Sequence, residues 1–533
     1  MHTPRNNLLR NDQNQMTSSE RAHSVRGHST SPTGRAATPT AGTQSPDGRY
    51  AKSPRGVTTA CASNADPVDS LSVEAIHSAE REHLRLRTVR QKACDSTSSR
   101  PAKSKVGSVT RYQRRIIDDE LDELLPHLPA IAIEGPKGVG KTETAKQRAA
   151  TILKLDEPAE ASLLDADPQR LEREPTPILI DEWQRFPRSW DLVRRSVDEN
   201  RAGGRFLLTG SAAPTTPPTH SGAARIVRLR LRPLSLAERG LTDRPTVSLR
   251  ELLTGNKPDI KGTATMELAD YTEEILASGF PAIRGFAGRA RTLQLDSYLS
   301  RIVDRDMDEA GLKVRRPALL RGWLAAYAAA SSTSTAYSTI LDAATPGDAD
   351  KPAKATTIAY REALTRLWLL DAIPGWIPEG NLLTRLAQAP KHHLADPALA
   401  ARLLGATASG LLRNTVSTGL IPADGVLLGA LFESLVTLSV RVYSQPVDAT
   451  VHHLRTQNGD HEVDLIVEGP DRQVVALEAK LATDVTNNDI RHLLWLRERL
   501  GKRLADAAVI TTGQHAYRRA DGIAVIPASL LGP

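Results

Sequence analysis

A glycine-rich segment with one lysine and one threonine carries the clearest chemical signal in this sequence. It reads GPKGVGKT from Gly135 to Thr142, follows the apolar run Ile131–Ile133 and precedes an alanine-rich segment. Glycines, a lysine and a hydroxyl residue at this spacing, between a strand and a helix, are typical of a phosphate-binding loop. Backbone N–H groups and the amino end of the helix would face phosphate oxygens. We therefore predict an ATP site formed by Gly135, Pro136, Lys137, Gly138, Val139, Gly140, Lys141 and Thr142.

Two acidic residues about forty positions later would complete that site. The apolar run 177–180 is followed at once by Asp181 and Glu182. A buried parallel strand would bring both acids to the edge of the sheet where the loop lies. We expect Lys141 to reach the β- and γ-phosphates, Thr142 and Asp181 to hold Mg²⁺, and Glu182 to activate water as a general base. The alternative is a core strand that ends in solvated acids.

A third predicted strand and the stretch after it add three polar positions. Thr209 and Ser211 follow the apolar run Phe206–Leu208, where either hydroxyl could sense the γ-phosphate. Arg225 opens a stretch in which apolar and basic residues alternate. It is a candidate arginine for the transition-state charge, acting on its own chain or on a neighbouring copy. A solvated strand face is the alternative interpretation of Arg225.

A second set of charged residues lies in the last hundred positions. Glu433 belongs to an amphipathic helix predicted from Leu428 to Gln445, and Asp464 lies in the second of three strands that follow. Glu478 and Lys480 share one face of the third strand, because strand residues two apart point the same way. Asp464 and Glu478 could hold a divalent cation that activates water for phosphodiester hydrolysis, with Lys480 orienting or neutralising. A simple Glu478–Lys480 ion pair is the alternative.

The elements that would position these residues follow a definite order. Strands are predicted at 452–457, 462–468 and 474–481, and the Asn458-Gly459 dipeptide between the first two indicates a hairpin turn. A further helix at 488–500 and a strand at 507–512 complete the predicted unit.

Composition limits the other functional classes. The chain has 533 residues, enough for two to four domains. Residues 1–108 hold 16 of the 69 Lys and Arg and 9 of the 62 Asp and Glu, so the rest carries 53 of each sign. The net charge of the rest therefore gives no indication of nucleic-acid binding. Cys61 and Cys94 are the two cysteines of the chain, so the part after residue 108 has none that could form a disulfide or bind a metal. No run of about 18 apolar residues and no signal-peptide pattern occur, so we expect a soluble, cytoplasmic protein without membrane contact.

Residues 1–108 are rich in Ser, Thr, Arg and Pro and are predicted to be disordered. The segment Ser72–Arg90 has a charged helical pattern that fits either a solvated helix or a basic arm on nucleic acid.

The middle of the chain is predicted to be helical. A helix that includes Tyr360 is followed by short apolar strands, which suggests a winged-helix module that either contacts DNA or packs against other parts of the protein. The pairs His392-His393 and His452-His453 are interpreted as surface or strand histidines and not as metal ligands.

Two long segments resemble a known family. The runs PILIDEWQRFPRSWDLVRRSVDENRAGGRFLLTGSAAP and ARIVRLRLRPLSLAERG are similar to prokaryotic AAA-type ATPases that carry a C-terminal domain of unknown function, itself considered similar to PD-(D/E)xK nucleases. The resemblance extends from about Tyr112 to the C-terminus. It carries over to GPKGVGKT, to Asp181-Glu182 and to Leu208–Ser211, whereas the usual Gly-Arg is Ala224-Arg225 here.

The resemblance implies roles for the helices after the ATPase core and for four charged residues near the C-terminus. Helices after the ATPase core would form its lid. Glu433, Asp464, Glu478 and Lys480 would correspond to a PD-(D/E)xK active site, in the matching order of helix and strands.

These observations predict an α/β fold with a parallel P-loop sheet of AAA type, a helical lid, a winged-helix-like region and a nuclease-like α/β domain. The predicted boundaries are 1–108 for the disordered tail, 109–245 for the ATPase core, 246–345 for the lid, 346–424 for the winged-helix-like region and 425–533 for the nuclease-like domain.

Two functions stay open at this point. The first is an ATPase, with ATP and Mg²⁺ as cofactors, coupled to a C-terminal domain that binds or cleaves DNA. The second is a nucleotide-switched binding protein whose C-terminal domain recognises a partner without cutting nucleic acid. A homo-oligomer is expected only by analogy with ring-forming AAA modules.

Overall fold

A five-stranded parallel sheet forms the amino-terminal half of the computed structural model. Its strands are β1 Ala130–Glu134, β2 Thr151–Lys154, β3 Ile178–Asp181, β4 Phe206–Gly210 and β5 Val227–Arg230. They are arranged in the order β2-β3-β4-β1-β5, and every neighbouring pair is parallel. The predicted strands before the P-loop, before Asp181 and before Thr209 are therefore confirmed. β4 lies between β1 and β3.

The structure describes residues 112–211, 221–345, 351–377, 388–413, 424–456 and 459–533. They all belong to one structural unit, Lys105–Pro533. The predictions for residues 1–108, including the helix at Ser72–Arg90, lie outside the described residues, as does Asn458 of the predicted hairpin turn.

The central strands β1, β3 and β4 are buried on both faces, as expected for parallel strands that read as continuous apolar runs. Residues of β1 alternate between two cores: Ile131 and Ile133 pack on one face, and Ala130 and Ala132 pack on the other. The helices of this half are Ile116–Leu124, Lys141–Lys146, Pro158–Ala166, Arg170–Arg173 and Arg188–Glu199.

Helices dominate the middle of the chain. They are Leu249–Leu253, Leu268–Ala277, Pro281–Arg284, Gly288–Arg301, Met307–Glu309, Pro317–Ala329, Tyr337–Ala344, Lys354–Arg366, Pro397–Leu403 and Ala408–Leu412. A π-helical turn, Ile302–Asp306, joins two of them, and 3₁₀ turns occur at Trp183–Arg185, Leu236–Glu238, Gln445–Val447, Gly501–Arg503 and Ala528–Leu530. After Lys354–Arg366 the chain makes two isolated antiparallel bridges, Leu370 with Leu394 and Ile373 with Lys391. The winged-helix interpretation stays a prediction.

A second, mixed sheet forms the carboxyl-terminal part. The remaining strands are β6 Val247–Ser248, β7 Gly262–Thr263, β8 Thr450–Arg455, β9 Glu462–Glu468, β10 Val474–Lys480, β11 Leu504–Thr511, β12 His515–Arg518, β13 Ala524–Pro527 and β14 Leu531–Gly532. Seven of them pair in the order β7-β12-β13-β11-β10-β9-β8, while β6 pairs with β14. β9 is antiparallel to β8 and β10, whereas β10 and β11 are parallel.

Two helices accompany this sheet, Asp424–Ser444 and Arg491–Leu500. The predicted order of helix, three strands, helix and strand is therefore confirmed, with ends shifted by a few residues. Among the described helices, Val426–Val447 is long and apolar enough to cross a membrane, but 61% of its apolar window is buried inside the protein. Such burial is typical of a core helix.

Candidate functional site

The predicted phosphate-binding loop connects β1 to the helix Lys141–Lys146. Gly135, Gly138 and Gly140 have φ angles of 155°, 77° and 106°, which favour glycine. A Cβ on Gly135 would lie 2.2 Å from the carbonyl oxygen of Leu231, so that position also needs glycine for space. The loop is closed on itself, since Lys141 Nζ donates to the carbonyl oxygens of Gly135 and Pro136, both at 2.9 Å.

The amino end of the helix Lys141–Lys146 meets the carboxyl ends of β3 and β4. Thr142 Oγ1 donates to Asp181 Oδ1 at 2.8 Å, and Thr209 Oγ1 donates to the same oxygen from β4. Burial lowers the pKa of Lys141 to about 8, although the nearby carboxylates of Glu182 and Asp181 act in the opposite direction. Five residues predicted from the sequence thus lie at one edge of the sheet: Lys141, Thr142, Asp181, Glu182 and Thr209.

Glu182 has a left-handed backbone, with φ of 53°. Its Oε2 accepts from Gln184 Nε2, and its Oε1 is 3.5 Å from Ser211 Oγ. The two hydroxyls at the end of β4 therefore have different partners, because Thr209 in the strand contacts Asp181 and Ser211 just after it contacts Glu182. Gln184 was not identified from the sequence, because nothing in its spacing marks it.

The oxygens of Thr142 and Asp181 are hard ligands of the kind that Mg²⁺ prefers. Their 2.8 Å separation at the mouth of the loop fits residues that hold one ion together. Among the described residues, no group of three or more His, Cys, Asp or Glu side chains could hold a metal by itself. The arrangement at the loop therefore suits an ion that phosphate oxygens also coordinate.

Lys137 of the loop is held by the middle helices. Its Nζ forms ion pairs with Asp306 Oδ1 at 2.6 Å and Glu309 Oε2 at 2.7 Å, and its carbonyl accepts from Tyr298 at 3.1 Å. Burial raises the pKa of Glu309, but hydrogen bonds, first that from Lys137, outweigh burial and hold it at about 2. Arg185 also pairs with Glu309, at 3.1 Å. The predicted lid helices therefore contact the loop directly.

Arg225 lies at the opposite edge of the sheet, which makes its predicted role within its own chain wrong. The register pairs Val227 with Ile131, so Arg225 precedes β5, whereas the loop follows Glu134 at the carboxyl end of β1. At about 3.3 Å per strand residue the separation is roughly 20 Å. Arg225 instead pairs with Asp198 at 2.8 Å. A role on a neighbouring copy stays a prediction.

The carboxyl-terminal candidates do converge, around a lysine that the sequence did not indicate. Lys391 Nζ lies 2.8 Å from Glu433 Oε1 and 2.9 Å from Asp464 Oδ1, and Lys391 is only 1% exposed. Asp464 Oδ2 accepts from the Ala479 backbone N–H at 3.0 Å. A lone lysine between a proline and two histidines has no local pattern that predicts burial among acids.

Opposed pKa shifts distinguish the acids of this cluster. Burial, then Asp464, raises the pKa of Glu433 to about 8, against the pull of Lys391. Burial raises the pKa of Asp464 too, but the Lys391 and Lys480 ammoniums outweigh it and hold that pKa well below its usual value. Burial and then Asp464 raise the pKa of Glu478 well above its usual range. The cluster therefore combines a fully ionised Asp464 with acids that favour a proton.

Glu478 and Lys480 form the predicted pair on β10, with Lys480 Nζ at 2.9 Å from Glu478 Oε2. The other oxygen, Glu478 Oε1, is buried and accepts no hydrogen bond. Lys391 Nζ lies 2.9 Å from Asp464 Oδ1, so an ammonium already contacts one of the two acids predicted to hold a divalent cation. The cation site at Asp464 and Glu478 stays a prediction.

A buried group of arginines links the two halves of the molecule. Asp371 pairs with Arg230 at 2.9 Å, Arg232 at 3.0 Å and Arg441 at 2.9 Å. Arg230 is the last residue of β5 and Arg232 lies two residues after it. Arg441 belongs to the helix Asp424–Ser444. Burial raises the pKa of Asp371, but the three arginines outweigh burial and hold it well below the usual value.

The paired histidines are not on the surface. His392, His393, His452 and His453 are all less than 7% exposed. His392 Nε2 lies 2.7 Å from the carbonyl of Thr335, and His453 Nε2 lies 3.0 Å from that of Ala389. They serve as internal hydrogen-bonding groups.

Family models match three separate segments of this chain. Residues 127–239 match an AAA domain, residues 268–410 match a domain of unknown function named DUF8612, and residues 428–531 match a domain of unknown function named DUF4143. The first segment contains every residue predicted for the ATP site. The nuclease-like character of the last segment stays a prediction.

Relatives of known sequence are distant. The uncharacterized protein Rv2008c of Mycobacterium tuberculosis and the uncharacterized protein Mb2031c of Mycobacterium bovis are each 25% identical over 426 residues, covering 78% of this chain and 84% of theirs. The Walker-type ATPase PABY2304 of Pyrococcus abyssi aligns at 14% identity and a TM-score of 0.31, covering 57% of this chain and 99% of that one. A TM-score this low establishes no shared fold. The AAA-domain match, with the loop geometry, supports an AAA-type P-loop ATPase that binds ATP.

Proposed function

We propose that this protein hydrolyses ATP with Mg²⁺ at the loop between β1 and the helix Lys141–Lys146. The observation that carries the proposal is the convergence on Asp181, since Thr142 from the helix and Thr209 from β4 both donate to its Oδ1. Lys141 lies in the same place, held by carbonyls of the loop. A cation, a hydroxyl and a carboxylate that lie together at the loop support the proposal, because triphosphate and Mg²⁺ binding need these groups.

Each side chain has a separate task in this proposal. Lys141 exchanges its two carbonyl acceptors for phosphate oxygens when ATP binds. Thr142 and Asp181 hold Mg²⁺, which when bound neutralises charge on the β- and γ-phosphates. Glu182 takes the proton of the attacking water on its carboxylate. Thr209 and Ser211 fix the orientation of the two acids.

Substitution of the general base tests this assignment. Glu182→Gln should bind ATP with unchanged affinity but release phosphate about 10²- to 10⁴-fold more slowly, since the amide cannot accept the proton. Glu157→Gln, an exposed acid in the same domain, is the matched control and should hydrolyse ATP at the normal rate. Normal phosphate release by Glu182→Gln would remove Glu182 from the mechanism.

For the carboxyl-terminal domain, one observation favours partner recognition over DNA cleavage. Lys391 fills the space between Glu433 and Asp464, which a nuclease would leave for a metal ion. Intact plasmid DNA after incubation with the protein, ATP and Mg²⁺ or Mn²⁺ is the expected result. Cleavage that is lost in Asp464→Ala would instead establish a nuclease. A cytoplasmic location and a homo-oligomer stay predictions.

A further inference from the structure

A cavity of about 530 Å³ lies between the edge strands of the two sheets. β5 is the last strand of the parallel sheet, and β8 is the last strand of the mixed sheet. Arg228, Arg230 and Arg232 line the cavity from β5 and the residues after it, and Arg441 lines it from the helix Asp424–Ser444. Its volume is within the range of pockets that hold small ligands.

Three of these arginines share one carboxylate. Arg230, Arg232 and Arg441 lie 2.9, 3.0 and 2.9 Å from the oxygens of Asp371, so three positive charges meet one negative charge. Their side chains are 20%, 9% and 17% exposed, and all three line the cavity. Part of each arginine therefore stays within reach of a ligand.

Two observations show that Asp371 does not satisfy the arginines fully. Nε of Arg230 is buried and donates a hydrogen bond to none of the described residues, although buried N–H groups normally have an acceptor. Burial lowers the pKa of Arg441 to about 10, and Arg232 adds to this shift while Asp371 opposes it. A second anion beside these arginines would stabilise them.

Two carboxylates, those of Glu120 and Asp448, also line the cavity. Glu120 accepts a hydrogen bond from Gln445 Nε2 at 2.8 Å. Burial raises the pKa of Glu120, the hydrogen bond from Gln445 opposes that shift, and Asp448 adds to it. The two acids thus act on each other, and they are available to accept from hydrogen-bond donors of a ligand.

We infer that this cavity binds a small phosphate-bearing ligand whose phosphate oxygens contact the guanidinium groups of Arg230, Arg232 and Arg441. A guanidinium group presents paired N–H donors that match the oxygens of a phosphate. Pro374 and Val451 also line the cavity and would contact an organic part of the ligand. A nucleotide and free phosphate share the required chemistry. The inference is separate from ATP hydrolysis, because no residue of the loop 135–142, which the structure describes in full, lines the cavity.

Calorimetric titration of the full-length Lys141→Ala chain with AMP and with inorganic phosphate tests this inference. The Lys141→Ala substitution removes the loop as a competing phosphate site, and it leaves the cavity unchanged whether or not the loop hydrolyses ATP. The chain should bind at least one of the two probes at a single site. Tighter binding of AMP would identify a nucleotide as the ligand, and tighter binding of phosphate would identify the free anion. Binding of neither probe at millimolar concentrations would refute the inference.

A substitution on β8 assigns the binding to the cavity without disturbing Asp371 and its arginines. Thr450 is exposed and lines the cavity. Thr450→Glu, made in the Lys141→Ala chain, places a carboxylate there and should weaken binding of the probe about fivefold or more, because like charges repel. Unchanged affinity in this variant would place the phosphate elsewhere and refute the inference.

Arg228 allows a second substitution with a matched control. Arg228 is 54% exposed and pairs with Glu134 at 3.4 Å, and Arg321, far from the cavity lining, is 49% exposed and pairs with Asp304 at 3.0 Å. In the Lys141→Ala chain, Arg228→Gln should also weaken binding about fivefold or more, whereas Arg321→Gln should leave the affinity unchanged. Equal affinities of the Arg228→Gln and Arg321→Gln chains would contradict the inference.

Discussion

Replacing Asp371 by alanine should destabilise the protein more than any single exposed ion-pair deletion. Its Oδ1 lies 2.9 Å from Arg230 and 2.9 Å from Arg441, and its Oδ2 lies 3.0 Å from Arg232. The aspartate is 6% exposed. Burial lowers the pKa of Arg230 to about 9, and Asp371 acts most strongly against that shift. Without the carboxylate, three guanidinium groups would repel one another inside the protein.

The magnitude follows from the contacts that are lost. Hydrogen bonds to charged groups contribute about 1.5–3 kcal/mol each, and removal of one partner from a buried ion pair costs about 3–5 kcal/mol. We expect Asp371→Ala to lose about 4 kcal/mol of unfolding free energy, the middle of that range. The pKa of Asp371 is lowered, so its contribution is fully present above the ordinary aspartate pKa and declines as the pH falls towards the folded value.

Urea unfolding at neutral pH, followed by tryptophan fluorescence, measures this loss. Asp296→Ala is the matched control, because Asp296 forms a single, partly exposed pair with Arg402 at 2.5 Å. The control should lose no more than about 1 kcal/mol. A loss below about 1 kcal/mol for Asp371→Ala would refute the view that this cluster joins the two halves.

Two further predictions concern the loop. Gly135→Ala should lower the unfolding free energy by about 2–3 kcal/mol and abolish ATP binding, since its Cβ would lie 2.2 Å from the Leu231 carbonyl oxygen. Gly138→Ala meets no atom within 4 Å and should cost only the backbone strain of about 1–2 kcal/mol, so equal losses in urea unfolding would contradict the argument. With a pKa of about 8, Lys141 is mostly neutral at pH 9, and phosphate contact should restore its proton. Calorimetry in buffers of different ionisation enthalpy should show greater proton uptake on ATP binding at pH 9 than at pH 7, and zero uptake at pH 9 would exclude this coupling.

The ATP site could be predicted because its signals are local. The loop from Gly135 to Thr142 is one continuous segment, and Asp181 ends an apolar run that reads as a strand. Parallel strands bring their carboxyl ends to one edge, so the meeting of Thr142, Asp181 and Thr209 needs only the strand direction. The same rule shows why the role predicted for Arg225 within its own chain is wrong. Arg225 precedes β5, so it lies at the amino end of that strand and not at the edge where the loop lies.

The remaining contacts could not be predicted, because their partners are far apart in the sequence. Lys391 meets Asp464 73 residues later, and Arg232 meets Asp371 139 residues later. No periodic pattern connects such positions, and a single lysine or aspartate reads as a surface residue. The elements around Asp464 were predicted nearly to their ends, yet the cation that defines their chemistry comes from a segment outside them.

Phosphate release from ATP by the full chain with Mg²⁺ tests the central claim most directly. The natural chain should release phosphate continuously, and Lys141→Ala should neither bind ATP in calorimetry nor release phosphate above background, because it lacks the buried ammonium that lies inside the loop, close enough to Glu182 and Asp181 to feel their charge. Equal phosphate release by the natural chain and by Lys141→Ala would contradict the account.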